Sequence, residues 1–232
     1  MQQPYFLASH IHVCGIGDDI VVLDLKQDRY LSFDREFWDP IARAIGGWPA
    51  DAASADATPD EVALGELLES GLLTTDRNRG KDAAPAALEL PETSMVEDFR
   101  AQRPRIRASH LIIFLTAIAT AFLRLRLQSL ETIVTAMRRR REQHDKPIDV
   151  AQMRELTEIF RRVRPLLFTS HNHCLFESLT LLQFLAHYRI HPTWVFGVQT
   201  APFIAHCWLQ HEDIACNEIL DRIRRCTPIM LA

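Results

Sequence analysis

Apolar residues fall at strand spacing in three short runs near the start of the chain: HIHVCGIG (residues 10–17), DIVVLDLKQ (19–27) and RYLSFD (29–34). The runs are rich in β-branched residues, and turn formers separate them, Gly17-Asp18-Asp19 first and Gln27-Asp28 second. That pattern predicts three strands joined by tight turns. In REFWDPIARAI the apolar spacing changes to that of a helix, and Gly46-Gly47 stops it. A second helix is expected in TPDEVALGELLESGLL. There Thr58 offers an N-cap, Pro59 suits the first helical position, and Val62, Leu64, Leu67, Leu68 and Leu72 leave one apolar face. Together these elements predict a compact unit of three strands and two helices that ends near Thr75.

The pattern then breaks. DRNRGKDAAPAALELPETS is polar, rich in Ala and Pro, and lacks sustained periodicity, so it reads as a linker. The expected organisation is a first domain over residues 1–78, a linker over 79–95 and a second domain over 96–232.

Helical spacing opens the second domain, with one long helix expected from about Ala108 to Glu142 and room for a break. Within it, LIIFLTAIATAFL (111–123) imitates a membrane span, but a span needs about 20 apolar residues, and His110 and Arg124 flank this one. A buried helix is the expectation. The run Arg138 to Arg141 reads as a solvated helix end, where cations meet the negative end of the dipole. After Pro147, Asp149 can cap a further helix, VAQMRELTEIFRRV. Next, CLFESLTLLQFLAHY is apolar almost all round, which marks a buried helix from Cys174 to about Tyr188. TWVFGVQT, FIAHCWLQ and IACNEI follow as three strands, the last two joined by a turn at His211-Glu212-Asp213. The fold class is therefore α+β.

Composition narrows this picture only a little. At 232 residues, 47% apolar and 24% charged, the chain has the make-up of an ordinary globular protein. Its net charge of −4 gives no reason to expect nucleic acid as a partner, and no membrane partner is expected either. The opening MQQPYFLASHIHV lacks a basic region and an apolar core, so no secretory signal is expected. Five cysteines without framework spacing fit reduced thiols and a cytoplasmic setting.

The candidate chemistry centres on Cys174, which permits three readings. A cysteine beside an apolar helix is commonly a core residue. It could also join His171, His173, His206, Cys207, His211 and Cys216 around a metal. However, no C-x-x-C or H-E-x-x-H spacing occurs, and His206 and Cys207 point to opposite faces of a strand. The third reading is a nucleophile. Cys174 stands at a helix N-terminus, where free N–H groups and the dipole stabilise a thiolate and its own N–H can meet an oxyanion. A Cys-His-acid triad then needs a base, and His206 lies on a later strand. A hairpin turning at about residue 212 pairs His206 with Glu218, and cross-strand neighbours stand about 5 Å apart. A one-residue slip offers Asn217 instead, and Asp213 lies in the turn. No cofactor or metal is expected on this reading, and Asn172 is a candidate second oxyanion donor.

CLFESLTLLQFLAHYRI, then GVQTAPFIAHCWLQ and CNE, resembles the leader peptidase of lasso-peptide biosynthesis, the B protein with its papain- and transglutaminase-like fold. Cys174, Leu175, Ser178 and Leu179 match the first part of the family pattern. Gly197, Val198, Pro202, Phe203, Ala205, His206, Trp208 and Asn217 match the rest. Two positions depart from it: Glu177 stands where a basic residue is common, and Glu218 where the family has Asp. VVLDLKQDRYLSF resembles the winged-helix-like recognition element of ribosomal-peptide enzymes. The resemblance implies a cysteine peptidase that captures a precursor by its leader and cuts at the leader–core junction. Leader capture would add a strand at RYLSFD, with Tyr30, Leu31, Phe33, Leu64 and Leu68 as contact residues. It further implies an ATP-dependent macrolactam cyclase as a partner.

Overall fold

The computed structural model describes residues 5–48, 60–97, 104–144, 146–166 and 174–232. The chain divides into two compact units, one over residues 1–87 with 200–202 and one over 88–199 with 203–232.

In the first unit, β1 (Phe6–Ala8) precedes the three expected strands, β2 (Ile11–Ile16), β3 (Asp19–Asp24) and β4 (Arg29–Asp34). These three form an antiparallel sheet in the order β2-β3-β4. The turn formers act as expected: Gly17 and Asp28 both take positive φ, 58° and 50°, as tight turns between twisted strands require. Helix α1 (Arg35–Ala42) carries Trp38 into the core beside Ile41. Helix α2 (Glu61–Glu69) is capped by Asp60, whose carboxylate accepts the N–H groups of Val62 and Ala63. Asp60 thus takes the role expected of Thr58, which lies with Pro59 outside the described residues. Two short strands, β5 (Leu73–Thr74) and β6 (Gly80–Lys81), flank β1 in a second small sheet. β6 falls in the stretch that reads as linker, because two residues of backbone pairing leave no periodic trace in a sequence.

The second unit opens with β7 (Thr93–Ser94), again inside the expected linker, paired in parallel with β10. Where one long helix was expected there are two, α3 (Ala108–Leu127) and α4 (Leu130–Glu142). Ser129 makes the break: its hydroxyl accepts the Thr132 N–H and caps α4. Helix α3 corrects the expectation of a buried helix. It has 20 residues and a mean hydropathy of 1.8, enough by length and composition alone to cross a bilayer, yet only 22% of its apolar window is buried. Phe114 packs against Phe160 and Phe184, while Leu115, Phe122 and Leu123 lie exposed on the other side. An apolar run shows that a helix can be buried, but not how many of its faces find a partner.

Helix α5 (Val150–Val163) is capped by Asp149 as expected. Helix α6 (Cys174–His187) is buried along most of its length. Strands β8 (Thr193–Thr200), β9 (Phe203–His211), β10 (Ile214–Ala215) and, after helix α7 (Leu220–Ile223), β11 (Thr227–Leu231) complete a five-stranded sheet in the order β11-β8-β9-β10-β7. The basic run of α4 is more than a solvated end. Arg138 donates to the Leu231 carbonyl at 2.7 Å and Arg141 to Thr193 at 2.8 Å, which ties the helix to the edge of the sheet.

Gly197 shows how tightly this sheet is packed. A Cβ there would stand 2.8 Å from the ring of Trp208, which is fully buried and donates its Nε1–H to Gln210. The indole cannot yield without losing that bond. Gly197→Ala is therefore expected to destabilise the second unit by about 1–3 kcal/mol, the usual cost of overpacking. A denaturant titration that finds the variant as stable as the parent would show that the sheet can relax.

Candidate active site

Cys174 is the first residue of α6 and is half-buried. Residues 171–173 lie outside the described residues, so nothing structural attaches to His171, Asn172 or His173. The strand β9 packs along α6 and brings His206, only 7% exposed, to the sulfur. Glu218 closes the line from behind: its Oε2 is 2.6 Å from His206 Nε2. With Nε2 engaged, Nδ1 is the nitrogen left for Cys174.

Glu218 meets His206 by a different route from the one the hairpin suggested. Ile214 pairs with His211 and Ala215 with Gln210, so the register is one residue off and would set Ile219 opposite His206. But the ladder stops at Ala215. Beyond it, Cys216 still donates to the Leu209 carbonyl, and the Asn217 side chain takes the next position by accepting the Leu209 N–H at 2.8 Å. The chain then turns away, and Glu218 reaches back over the imidazole. Its backbone is held by Ser94 of β7, whose hydroxyl donates to the Glu218 carbonyl at 2.7 Å. Of the three candidate partners, then, only Glu218 touches the imidazole. Asn217 caps the strand, and Asp213 stays in the turn, where its backbone carbonyl accepts the N–H groups of Glu92 and Thr93. Nothing in the sequence of β7 flagged Ser94, because its part is played through one hydroxyl at a two-residue strand.

The peeling-off of β10 has a second effect. It uncovers the backbone N–H of Cys207, which would otherwise face a neighbouring strand. Cys207, through its side chain and this N–H, and His206 are the groups that draw the Cys174 thiol down. Along β9 the two side chains keep different partners: Cys207 Sγ lies 3.2 Å from Ser178 Oγ on α6, while His206 stacks with Trp208 and meets Glu218.

The electrostatics follow. Hydrogen bonds from Cys207, first, and then His206 outweigh the effect of burial and bring the Cys174 thiol down to about 4. Burial pushes the His206 imidazole down, but bonds to Cys174 and Glu218 overcome it and raise the group to about 9. Burial likewise works against the Glu218 carboxylate, and His206, the Ile219 N–H and Arg222 together hold it below the usual carboxylate range. At neutral pH the site is a thiolate–imidazolium pair backed by a carboxylate.

The three residues open on a cleft of about 530 Å³. Glu177, the first departure from the family pattern, lies in its wall, paired with Arg164. Among the described residues, no group of three or more His, Cys, Asp or Glu side chains gathers as metal ligands.

A thiol at a helix start, a histidine on the following sheet and a carboxylate behind it make the arrangement of cysteine hydrolases and acyl transferases. A family model described as the transglutaminase-like superfamily matches residues 115–231, half of the chain. The chain belongs to that superfamily. The matched stretch runs from within α3 to the end of β11 and contains Cys174, His206 and Glu218. No curated protein and no solved structure matches the chain.

Proposed function

We propose that this chain is a cysteine peptidase of ribosomal-peptide maturation, of the lasso-peptide B kind, which holds a precursor by its leader and hydrolyses the leader–core bond. The observation that carries the catalytic part is the Cys174–His206–Glu218 line at the cleft. The Cys174 thiolate attacks the scissile carbonyl carbon, and the oxyanion forms near the Cys174 N–H at the start of α6. The C–N bond breaks as His206 passes its proton to the leaving amine, the new N-terminus of the core. The leader remains as a thioester on Cys174. Neutral His206 then takes a proton from water, whose oxygen attacks the thioester and frees the leader carboxylate and the thiolate. Glu218 holds the imidazole in one tautomer and offsets the charge it carries between the two steps. The freed amine is the group a partner macrolactam cyclase would consume.

Leader capture is supported by β4. Among the described residues it pairs only with β3 and forms an edge of its sheet, the place where an added strand can dock. Of the expected contact residues, Leu31, Phe33 and Leu68 are partly buried against the small core and Tyr30 is half-buried, all with surface left to offer. Leu64 is 3% exposed and belongs to the core, so its part is to support α2 rather than to touch a leader.

The test uses a precursor encoded by a short reading frame beside this one. Mass spectrometry should find leader and core separated with the mass of one water added. Amide exchange on the Cys174→Ala protein should show leader-dependent protection in residues 29–34. Protection confined to the second unit would remove the recognition role, and an uncut precursor would remove the peptidase.

A further inference from the structure

We propose that α3 seats the second unit on an anionic phospholipid surface: its exposed apolar stripe enters the acyl boundary, and the basic hollow beside it takes a headgroup phosphate.

The stripe is the first observation. Leu111, Ile112, Leu115, Phe122, Leu123 and Leu127 are each between 40% and 76% exposed. Helical spacing puts Ile112, Leu115, Ala119 and Phe122 in one line along the outer side. Soluble monomers rarely leave so much contiguous apolar surface uncovered. The exposed hydroxyl within it, that of Thr116, is turned back on the Ile113 carbonyl at 2.8 Å. A specific protein interface carries about one hydrogen bond per 100–200 Å², and this stripe has few groups to supply them. Acyl chains ask for none. The helix would lie along such a surface rather than cross it, because His110, Phe114, Ala117 and Ala121 on its inner side are buried, Phe114 against Phe184 of α6.

Charge is the second observation, independent of the first. The net charge of −4, which gave no reason to expect a membrane, conceals an uneven distribution: between Asp98 and Glu131 the chain has six arginines and no acid. Arg105 and Arg107 stand before the stripe, and Arg124 and Arg126 at its end. On the flank where α3 meets α4 and α6, a hollow of about 460 Å³ is lined by Thr120, Arg140, Gln143, His144 and His191 and, among the described residues, by no carboxylate. The His144 and His191 rings stand 4.2 Å apart, and His191 Nε2 is buried without a hydrogen-bond partner among the described residues. Burial, then His144, then Arg140 bring the His191 imidazole down to about 4. Burial and then Arg140 lower Arg124 from its ordinary value. Cations and N–H donors thus crowd one another, and phosphate is the anion that such a set of donors takes. A second copy of the chain does not answer this charge, since its own α3 brings the same arginines and no acid. An anionic leaflet answers it and covers the stripe as well.

The experiment is sedimentation of the full chain with vesicles of phosphatidylcholine alone and of phosphatidylcholine and phosphatidylglycerol in equal parts. Light scattering measures the oligomeric state without vesicles. The parent should bind the mixed vesicles about tenfold or more tightly than the neutral ones, and added salt should weaken it. Leu115→Ser with Phe122→Ser should lower binding to the mixed vesicles by about tenfold or more. Ile112→Ser alone, at a position 63% exposed, tests the stripe should that pair fail to fold. Arg124→Gln with Arg140→Gln should remove the preference for the anionic lipid. A folded parent that stays in solution beside the mixed vesicles overturns the proposal. So does a parent dimer that the serine changes convert to monomers, which assigns the stripe to a second copy. Binding that the serine changes leave intact removes the stripe, and a lipid preference that survives the arginine changes removes the headgroup seat; either result overturns the proposal as stated.

Discussion

Cys174→Ala is expected to fold, to bind a leader peptide as the parent does and to lose cleavage by about 10⁶-fold, the scale on which serine-triad enzymes lose rate without their nucleophile. The expectation follows from the absence of a substitute. Burial pushes the other four thiols up, Cys14 and Cys216 to about 12, and Cys207 and Cys226 also above their ordinary value. A thiol held protonated and out of solvent neither attacks a carbonyl nor reacts quickly with an alkylating agent. Iodoacetamide should therefore label the parent at one fast site, and that site should vanish in Cys174→Ala. Cys174→Ser is a useful companion, since a hydroxyl does not form a stable ion pair with His206 and should be nearly as inactive. Single-turnover cleavage of one fixed precursor decides the matter. Normal cutting by Cys174→Ala, or fast alkylation at another cysteine, would remove the nucleophile assignment.

Several elements were legible in the sequence for simple reasons. β2, β3 and β4 announce themselves because each strand is six residues long and turn formers stand between them. α5 and α6 do so because an Asp cap or an unbroken apolar run marks where a helix begins. What escaped is structure too short or too distant to leave a period. The strands β5, β6 and β7 have two residues each, and the edge strand β11 carries a proline at its second position. The exposed side of α3 escaped for another reason: composition reports what a helix could bury, while its actual neighbours depend on the whole packing. The site shows the same division. Cys174 and His206 can be picked out by residue type and order. The influence of Cys207 on that thiol cannot, because it depends on how β9 packs against α6.

Glu218→Gln is expected to keep the fold and lose cleavage rate by about 10²- to 10⁴-fold, if the neutralised acid of serine triads is a guide. The amide can still accept the Nε2–H of His206, so the ring stays oriented; what disappears is the charge. His206 stands at about 9 although burial opposes it, and the Glu218 carboxylate is one of the groups that hold it there. Removing that charge lowers the imidazole, so the alkaline limb of kcat/KM should move to lower pH. A residue that merely filled space would not shift it. Glu218→Asp restores the residue usual in the family that this sequence resembles, but here the ladder ends at Ala215 and the acid reaches back from a loop. An arm shorter by one methylene cannot keep a 2.6 Å contact without moving that loop, which Ser94 holds through the Glu218 carbonyl. Its rate should fall between those of parent and Glu218→Gln, with the alkaline limb nearer the parent's. Asp213→Asn should cleave normally, because among the described residues only the backbone carbonyl of Asp213 is used, by Glu92 and Thr93. Should Asp213→Asn be the crippled enzyme and Glu218→Gln the healthy one, the carboxylate behind His206 has been misassigned and the line Cys174–His206–Glu218 does not operate.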